Sequence, residues 1–283
     1  MELFRIIKSD ARRAMGFCGG RTVASVIIVA LAFLCISLTE SVLLTVFCGT
    51  DVFTSDILSL AETYPEAVFI TAGSAVVWIF VIPALLLGYV KLHLAFAEGK
   101  DESISLLFDM FSSFRKFIGS AFFFLAFAAR CILVFSAAIL PGGAFFWFSE
   151  TYIPEGTRTL EILKISAFFI AFAIIALCIF LAFIFIQRWN LAPYYRVCGN
   201  GIHKSFSLSA KAAKGLCTDI ISFKISFIGW GILSFLILPF LWSAPYYALS
   251  NAIYAKYLME RYERSLAQVP ESIAPEITFE EKD

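Results

Sequence analysis

The sequence predicts an all-α, polytopic membrane protein with about six transmembrane helices and three amphipathic cytoplasmic helices. Its 283 residues are 60% hydrophobic and 17% aromatic, with a mean hydropathy of +0.85. Soluble domains are typically about 45–50% apolar. Several apolar runs also reach the length of about 20 residues that a membrane-spanning helix needs. Composition and run length together therefore indicate helices that lie in lipid.

Six apolar segments are candidates for these helices. They are Thr22–Phe47, Glu66–Leu92, Gly119–Phe148, Ile165–Gln187, Asp219–Leu238 and Leu241–Tyr257. The third is too long for one straight span, and Pro141 predicts that it breaks there, because proline removes a backbone donor. The last two are so close together that they predict a tight hairpin, turning near Pro239–Phe240.

Basic residues between the segments predict the orientation of the chain. Eighteen lysines and arginines fall on one side of the predicted membrane and two, Arg158 and Lys164, on the other. Because cytoplasmic loops carry the basic excess, both termini are expected in the cytoplasm and Asp51–Glu62 outside, in a plasma-membrane protein. A cleaved signal peptide is the alternative for the first segment, but the apolar run continues well beyond Ala32.

Three polar segments show apolar residues at helical spacing and indicate amphipathic helices on the cytoplasmic side. Each carries a basic residue four positions before a glycine, at Gly16, Gly119 and Gly215. Glycine permits the left-handed conformation that often closes a helix, so we expect each helix to end there. Such helices can lie among lipid headgroups or pack on the inner ends of the spans.

The recurring glycine suggests that residues 1–260 form one membrane domain with a three-fold repeat of helix plus hairpin. The units would be 1–92, 101–187 and 201–257, and a chance match of a short motif is the alternative. Residues 261–283 are acidic and predict a disordered cytoplasmic tail.

The tetrapeptide Ala-Pro-Tyr-Tyr occurs twice, at Ala192–Tyr195 and Ala244–Tyr247. It does not follow the glycine repeat. The predicted spans place the first copy at the cytoplasmic interface and the second at the outer one. Tyrosine suits both interfaces, so we interpret the copies as two independent membrane-interface features.

Away from the first and last two positions of each predicted span, the charged residues are Glu40, Arg130 and Lys224. Lys224 is close enough to the inner boundary to extend to the headgroups. Arg130 lies about 16 Å beyond Gly119, near the middle of a core about 30 Å thick, where a charge is costly. Arg130 and Glu40 are therefore the candidate intramembrane polar site. Arg130 either contacts a transported substrate or ion, or pairs structurally, with Glu40 as the candidate partner.

No catalytic motif or metal-spaced cluster occurs, and no cofactor is expected. The seven cysteines are scattered and predict buried thiols without a disulfide framework. The formal net charge is zero, which gives no reason to expect a nucleic-acid partner.

From Leu191 onward the chain resembles a family of bacterial polytopic integral membrane proteins that carry a domain of unknown function. The resemblance rests on "LAPYY", "SLSAKAAKG", "KISFIGWGIL" and "APYYALSNAIYAKYL", and on "LLFDMFSSFRKF" at Leu106–Phe117. The family is also distantly similar to the membrane domain of glycerophosphodiester phosphodiesterases. An Ile-Pro-Gly-like element of the family corresponds to Ile139–Gly142, farther from "LAPYY" than the family pattern implies.

The resemblance implies a membrane architecture and no established activity. Together with the absence of catalytic motifs, it favours a non-enzymatic membrane scaffold or accessory factor, whose partners are the lipid bilayer and other membrane proteins. A small permease or channel is the alternative, and an intramembrane enzyme comes third.

Overall fold

The computed structural model describes residues 2–48, 65–153, 158–234 and 236–267, and these are helical with no strand. The external loop predicted over 51–62 lies outside the described residues. The helices are α1 (Glu2–Cys48), α2 (Pro65–Ala97), a 3₁₀ helix (Ile104–Phe111), α3 (Phe114–Tyr152), α4 (Arg158–Ile186), a 3₁₀ turn (Gln187–Trp189), α5 (Ala192–Val197), α6 (Ile202–Ala212), α7 (Cys217–Ile225), α8 (Ile228–Leu233) and α9 (Ile237–Ala267).

Four helices of the described chain are long and apolar enough to cross a membrane, which agrees with a polytopic membrane protein. These helices, α1 to α4, contain the first four predicted segments, except for Gln187 at the end of the fourth. At 1.5 Å per residue, even the 29 residues of α4 extend about 44 Å, well beyond a hydrocarbon core of about 30 Å. The helices therefore continue out of the apolar region.

The predicted break at Pro141 is wrong, because α3 runs through this residue to Tyr152. A break in lipid would expose backbone groups that no water can satisfy. The next residue, Gly142, is buried against α4: a Cβ there would lie 2.2 Å from Cγ1 of Ile175 and 2.9 Å from the carbonyl oxygen of Ala171. The closely packed neighbouring helix thus supports α3 beside its proline.

Glycine ends a helix at one of the three predicted positions. Gly16 lies inside α1 and Gly119 inside α3, whereas Gly215 has φ +76° in the turn between α6 and α7. An interior glycine weakens a helix by only about 1 kcal/mol. The buried residues beside these glycines, Met15 and Cys18 in α1 and Ala121 in α3, offset this cost. The first predicted amphipathic helix is therefore part of α1, and the second is the 3₁₀ helix, capped by Ser103. A glycine that ends a helix is therefore not shared by the three units of the predicted repeat.

The main packed core lies at the basic ends of the long helices, which the sequence predicts on the cytoplasmic side. We call it the inner core. A stripe on α1 at helical spacing, formed by Ile7, Ala11, Met15 and Cys18, belongs to this core together with the end of α2 and residues of α5, α7 and α9. The helices that the sequence separates by up to 250 residues thus meet around the first turns of α1.

Both Ala-Pro-Tyr-Tyr copies enter this one core, so their assignment to opposite interfaces is wrong. Tyr194, Tyr195 and Tyr246 are all buried in it. The amide Nδ2 of Asn251 in α9 donates to the hydroxyl of Tyr194 at 3.0 Å. The second copy stays on the inner side because the chain between α7 and α9 turns back early.

The predicted fifth and sixth segments form a short hairpin whose two legs return to Lys8. The Lys8 ammonium donates to the carbonyl of Ser226 at 2.9 Å, and the hydroxyl of Tyr246 donates to the carbonyl of Lys8 at 3.4 Å. Twenty residues separate these contacts, so each helical leg reaches about 15 Å, half of a hydrocarbon core. The helix break falls between Leu233 and Ile237, earlier than predicted.

The C-terminal region is also more ordered than predicted. The tail was expected to begin at residue 261, but α9 continues to Ala267 and Tyr262 packs against the inner core. Residues 268–283 lie outside the described residues.

Candidate functional site

Arg130 lies on α3, half-buried against α6. Its guanidinium carbon is 4.1 Å from the centre of the Phe206 ring, and its Nη1 donates to the carbonyl of Ala126, one turn earlier, at 2.9 Å. The same ring stacks on Phe123 and lies close to Phe127, with centroids 5.1 and 6.1 Å away. Phe206 therefore covers positions i, i+4 and i+7 of one α3 face.

This contact places Arg130 beside a helix that the sequence puts on the cytoplasmic side. α6 carries the exposed lysines Lys204 and Lys211 and follows the end of α4. The apolar part of α3 that faces lipid thus begins later than the predicted boundary at Gly119. A cation over an aromatic face is stabilised electrostatically, by about 0.5–2 kcal/mol. The arrangement favours the structural interpretation of Arg130.

Glu40 lies elsewhere, between α1 and α2. The hydroxyl of Ser74 donates to its Oε2 at 2.6 Å. The two side chains help to line an open pocket of about 460 Å³, which also contains Cys35 and Thr39. Within the described residues, no ion pair joins Glu40 to Arg130, so the hypothesised pairing is wrong. The sequence could not reveal Ser74 as the partner, because a serine in a span carries no distinctive pattern.

Lys224 has two polar partners within the protein. Its ammonium donates to Oε1 of Gln187 at 2.8 Å and to Oδ1 of Asn190 at 2.7 Å. Both acceptors lie just after α4, so these hydrogen bonds connect α7 to the C-terminal end of that helix. The polar pair at positions i and i+3 after an apolar run is the sequence signal for this contact.

Asp109, on the 3₁₀ helix, joins two long helices and was not singled out from the sequence. Its Oδ2 accepts from Lys91 of α2 at 2.8 Å, and its Oδ1 accepts from Lys116 of α3 at 3.0 Å. Burial alone would raise the pKa of Asp109, but the hydrogen bonds and charges of the two lysines outweigh it, so this pKa lies below its ordinary value. The carboxylate is therefore held ionised between two cations.

No group of three or more histidine, cysteine or acidic side chains that could hold a metal ion occurs in the part of the chain that the structure describes. The polar groups described above lie apart from one another: Arg130 packs on α6, Asp109 joins α2 and α3, and Glu40 pairs with Ser74 between α1 and α2.

No protein-family model, curated protein or solved structure matches the chain. The resemblance to the bacterial membrane family stays a prediction.

Proposed function

We propose that this chain is a non-enzymatic membrane scaffold or accessory factor, held in the bilayer by α1 to α4 and organised by its inner core. One observation carries the proposal. In the most apolar 18-residue stretch of each long helix, only 6–28% of the residues are buried, whereas the inner core is closely packed. Large apolar faces are therefore left for lipid or for other membrane proteins.

The topology that goes with this role has four full spans, both termini in the cytoplasm, and location in the plasma membrane. The 18-to-2 division of basic residues supports the orientation. The sequence predicts six spans. In place of the fifth and sixth, we propose a hairpin from α7 to α9 that enters the inner leaflet and returns to the same side. Its support is the double contact of Ser226 and Tyr246 with Lys8.

A small permease is the second candidate, and the pocket beside Glu40 and Ser74 favours it. A permease needs a polar route through the apolar region. Glu40 lies between α1 and α2, whereas Arg130 packs on α6 at the inner side, so the two do not line a common route. The scaffold role accounts better for this separation. The proposed role requires no cofactor, substrate or nucleic-acid partner.

A two-part experiment separates the candidates. The purified protein is reconstituted in vesicles and assayed for ion and solute flux. In parallel, a photo-crosslinking amino acid replaces Phe69 of α2 or Phe169 of α4, two exposed phenylalanines on different helices. We expect no flux above protein-free vesicles and a discrete protein crosslink from at least one position in cells. Flux that Arg130→Gln abolishes, or crosslinks to lipid alone at both positions, would contradict the scaffold role.

A further inference from the structure

An open pocket with an excess of positive charge lies where the inner ends of α2, α3 and α5 meet. Its volume is about 660 Å³. The lining contains four basic side chains and one acidic one. These are Lys91, Arg115, Lys116, Arg196 and Asp109. We propose that this pocket binds a phosphate group, carried by an anionic phospholipid or by a soluble phosphate ester.

The two arginines supply the charge that the protein leaves uncompensated. Asp109 pairs with Lys91 and Lys116, whereas neither Arg115 nor Arg196 has an acidic partner within the described residues. The guanidinium groups of the two arginines are close enough to repel each other. A bound dianion or monoanion between them would remove this repulsion, and the planar guanidinium matches phosphate oxygens in pairs.

Local geometry holds Arg196 in position at the pocket. Its Nη1 donates to the carbonyl of Asn200 at 2.8 Å. Its Nη2 lies so close to Gly119 of α3 that a Cβ there would be only 2.6 Å away. Gly119, which does not end a helix, thus serves to admit this side chain. Ordering the arginine before a ligand arrives reduces the entropy lost on binding.

The backbone at the pocket also suits an anion. Gly199, with φ +93°, and Gly201 line it, and Gly201 is the residue before the first turn of α6. No side chain caps that first turn, so its N–H groups have no side-chain acceptor. Free N–H groups at a helix start and the helix dipole favour negative charge, in addition to the arginines.

The level of the pocket in the membrane agrees with a phospholipid headgroup. Lys91 ends the apolar run of α2, and Arg115 and Lys116 precede that of α3. Basic pockets between transmembrane helices on the cytoplasmic side are a recurrent form of anionic-lipid site. The inference does not depend on the scaffold role.

The test uses the full chain in detergent and follows its thermal unfolding with four probes. They are short-chain phosphatidic acid, short-chain phosphatidylcholine, glycerol 3-phosphate and inorganic phosphate. We expect phosphatidic acid to raise the unfolding midpoint in a saturable way and phosphatidylcholine to leave it unchanged. A saturable response to the soluble phosphates and none to phosphatidic acid would keep the site and assign it to a soluble ester.

Two variants of equal charge change locate the response. Arg115→Gln with Arg196→Gln removes both arginines of the pocket, and we expect at least about tenfold weaker binding. Arg13→Gln with Arg261→Gln removes two exposed arginines of other helices and should bind as the parent does. Arg115 is exposed, so Arg115→Gln alone serves if the double variant is unstable. Equal responses of pocket and control variants, or no saturable response to any phosphate, would overturn the proposal.

Discussion

Replacing Gly88 by alanine tests the close approach of α2 to the 3₁₀ helix. A Cβ at this position would lie 1.8 Å from the carbonyl oxygen of Leu107 and 2.7 Å from its carbonyl carbon. Leu107 is fully buried. Carbon and carbonyl oxygen normally approach to about 3.3 Å, so the 3₁₀ helix would have to retreat by roughly 1.5 Å. Backbone on both sides of the contact leaves no flexible side chain to absorb this shift.

The expected loss of stability has two parts. Overpacking of this kind destabilises proteins by about 1–3 kcal/mol. The same retreat would lengthen the 2.8 Å hydrogen bond from Lys91 to Asp109 beyond its useful range, which adds about 1 kcal/mol after allowance for the partial exposure of the lysine. We therefore expect Gly88→Ala to lower the free energy of unfolding by about 2–4 kcal/mol.

Gly73 on the same helix provides the matched control, because a Cβ there meets nothing within 4 Å. Alanine favours a helix over glycine by up to about 1 kcal/mol, so Gly73→Ala should leave stability unchanged or raise it. Both variants are purified in detergent, and unfolding is followed by tryptophan fluorescence and size-exclusion chromatography. Equal stability of the two variants would refute the close contact at Gly88.

Three further predictions follow from charged groups and topology. Asp109→Asn should destabilise the protein by about 1 kcal/mol at pH 7. The difference from the parent should shrink as pH falls below about 4, since a carboxylate with a lowered pKa stabilises the fold only while ionised; a difference that stays constant down to about pH 2 would contradict this. Arg130→Gln should lower stability by about 1 kcal/mol in a melting assay, through loss of the contact with its aromatic partner. Adding Glu40→Gln should have a purely additive effect, and rescue would show that the two side chains interact. In a cysteine-free background, a cysteine at Thr151 should react with an impermeant reagent in intact cells, and one at Ser103 only after permeabilisation; the reverse pattern would invert the topology.

The sequence predicts the long helices well because the constraint that the bilayer imposes applies to each segment separately. Each run of apolar residues of sufficient length must satisfy its backbone groups internally, whatever surrounds it. The start of α2 and the end of α4, each within one residue of the predicted position, follow from run length in this way. Continuity through Pro141 does not follow, because a local signal that ends helices in water is overridden where an interruption in lipid would leave backbone groups unpaired. Continuity through Gly16 does not follow either, because it depends on the packing of the α1 stripe against distant helices.

Contacts between distant segments could not be predicted in the same way. The partner of Arg130 is Phe206, 76 residues later, and nothing in the composition of either segment indicates that they meet. The early turn after α8 likewise depends on Lys8, which holds both legs of the hairpin from the opposite end of the chain. The candidate site was therefore predicted as a list of charged residues, and the fold assigns each a different partner.

The closure of the inner core around Lys8 has a consequence for biosynthesis. The α1 stripe emerges from the ribosome first, but the α9 residues that cover it are made about 240 residues later. At roughly 5–20 residues per second, this leaves the stripe without its final neighbours for about 12–50 seconds. During that interval the stripe offers an apolar surface to chaperones and the insertion machinery. Within the described residues, α9 is thus the helix that completes the packing around α1.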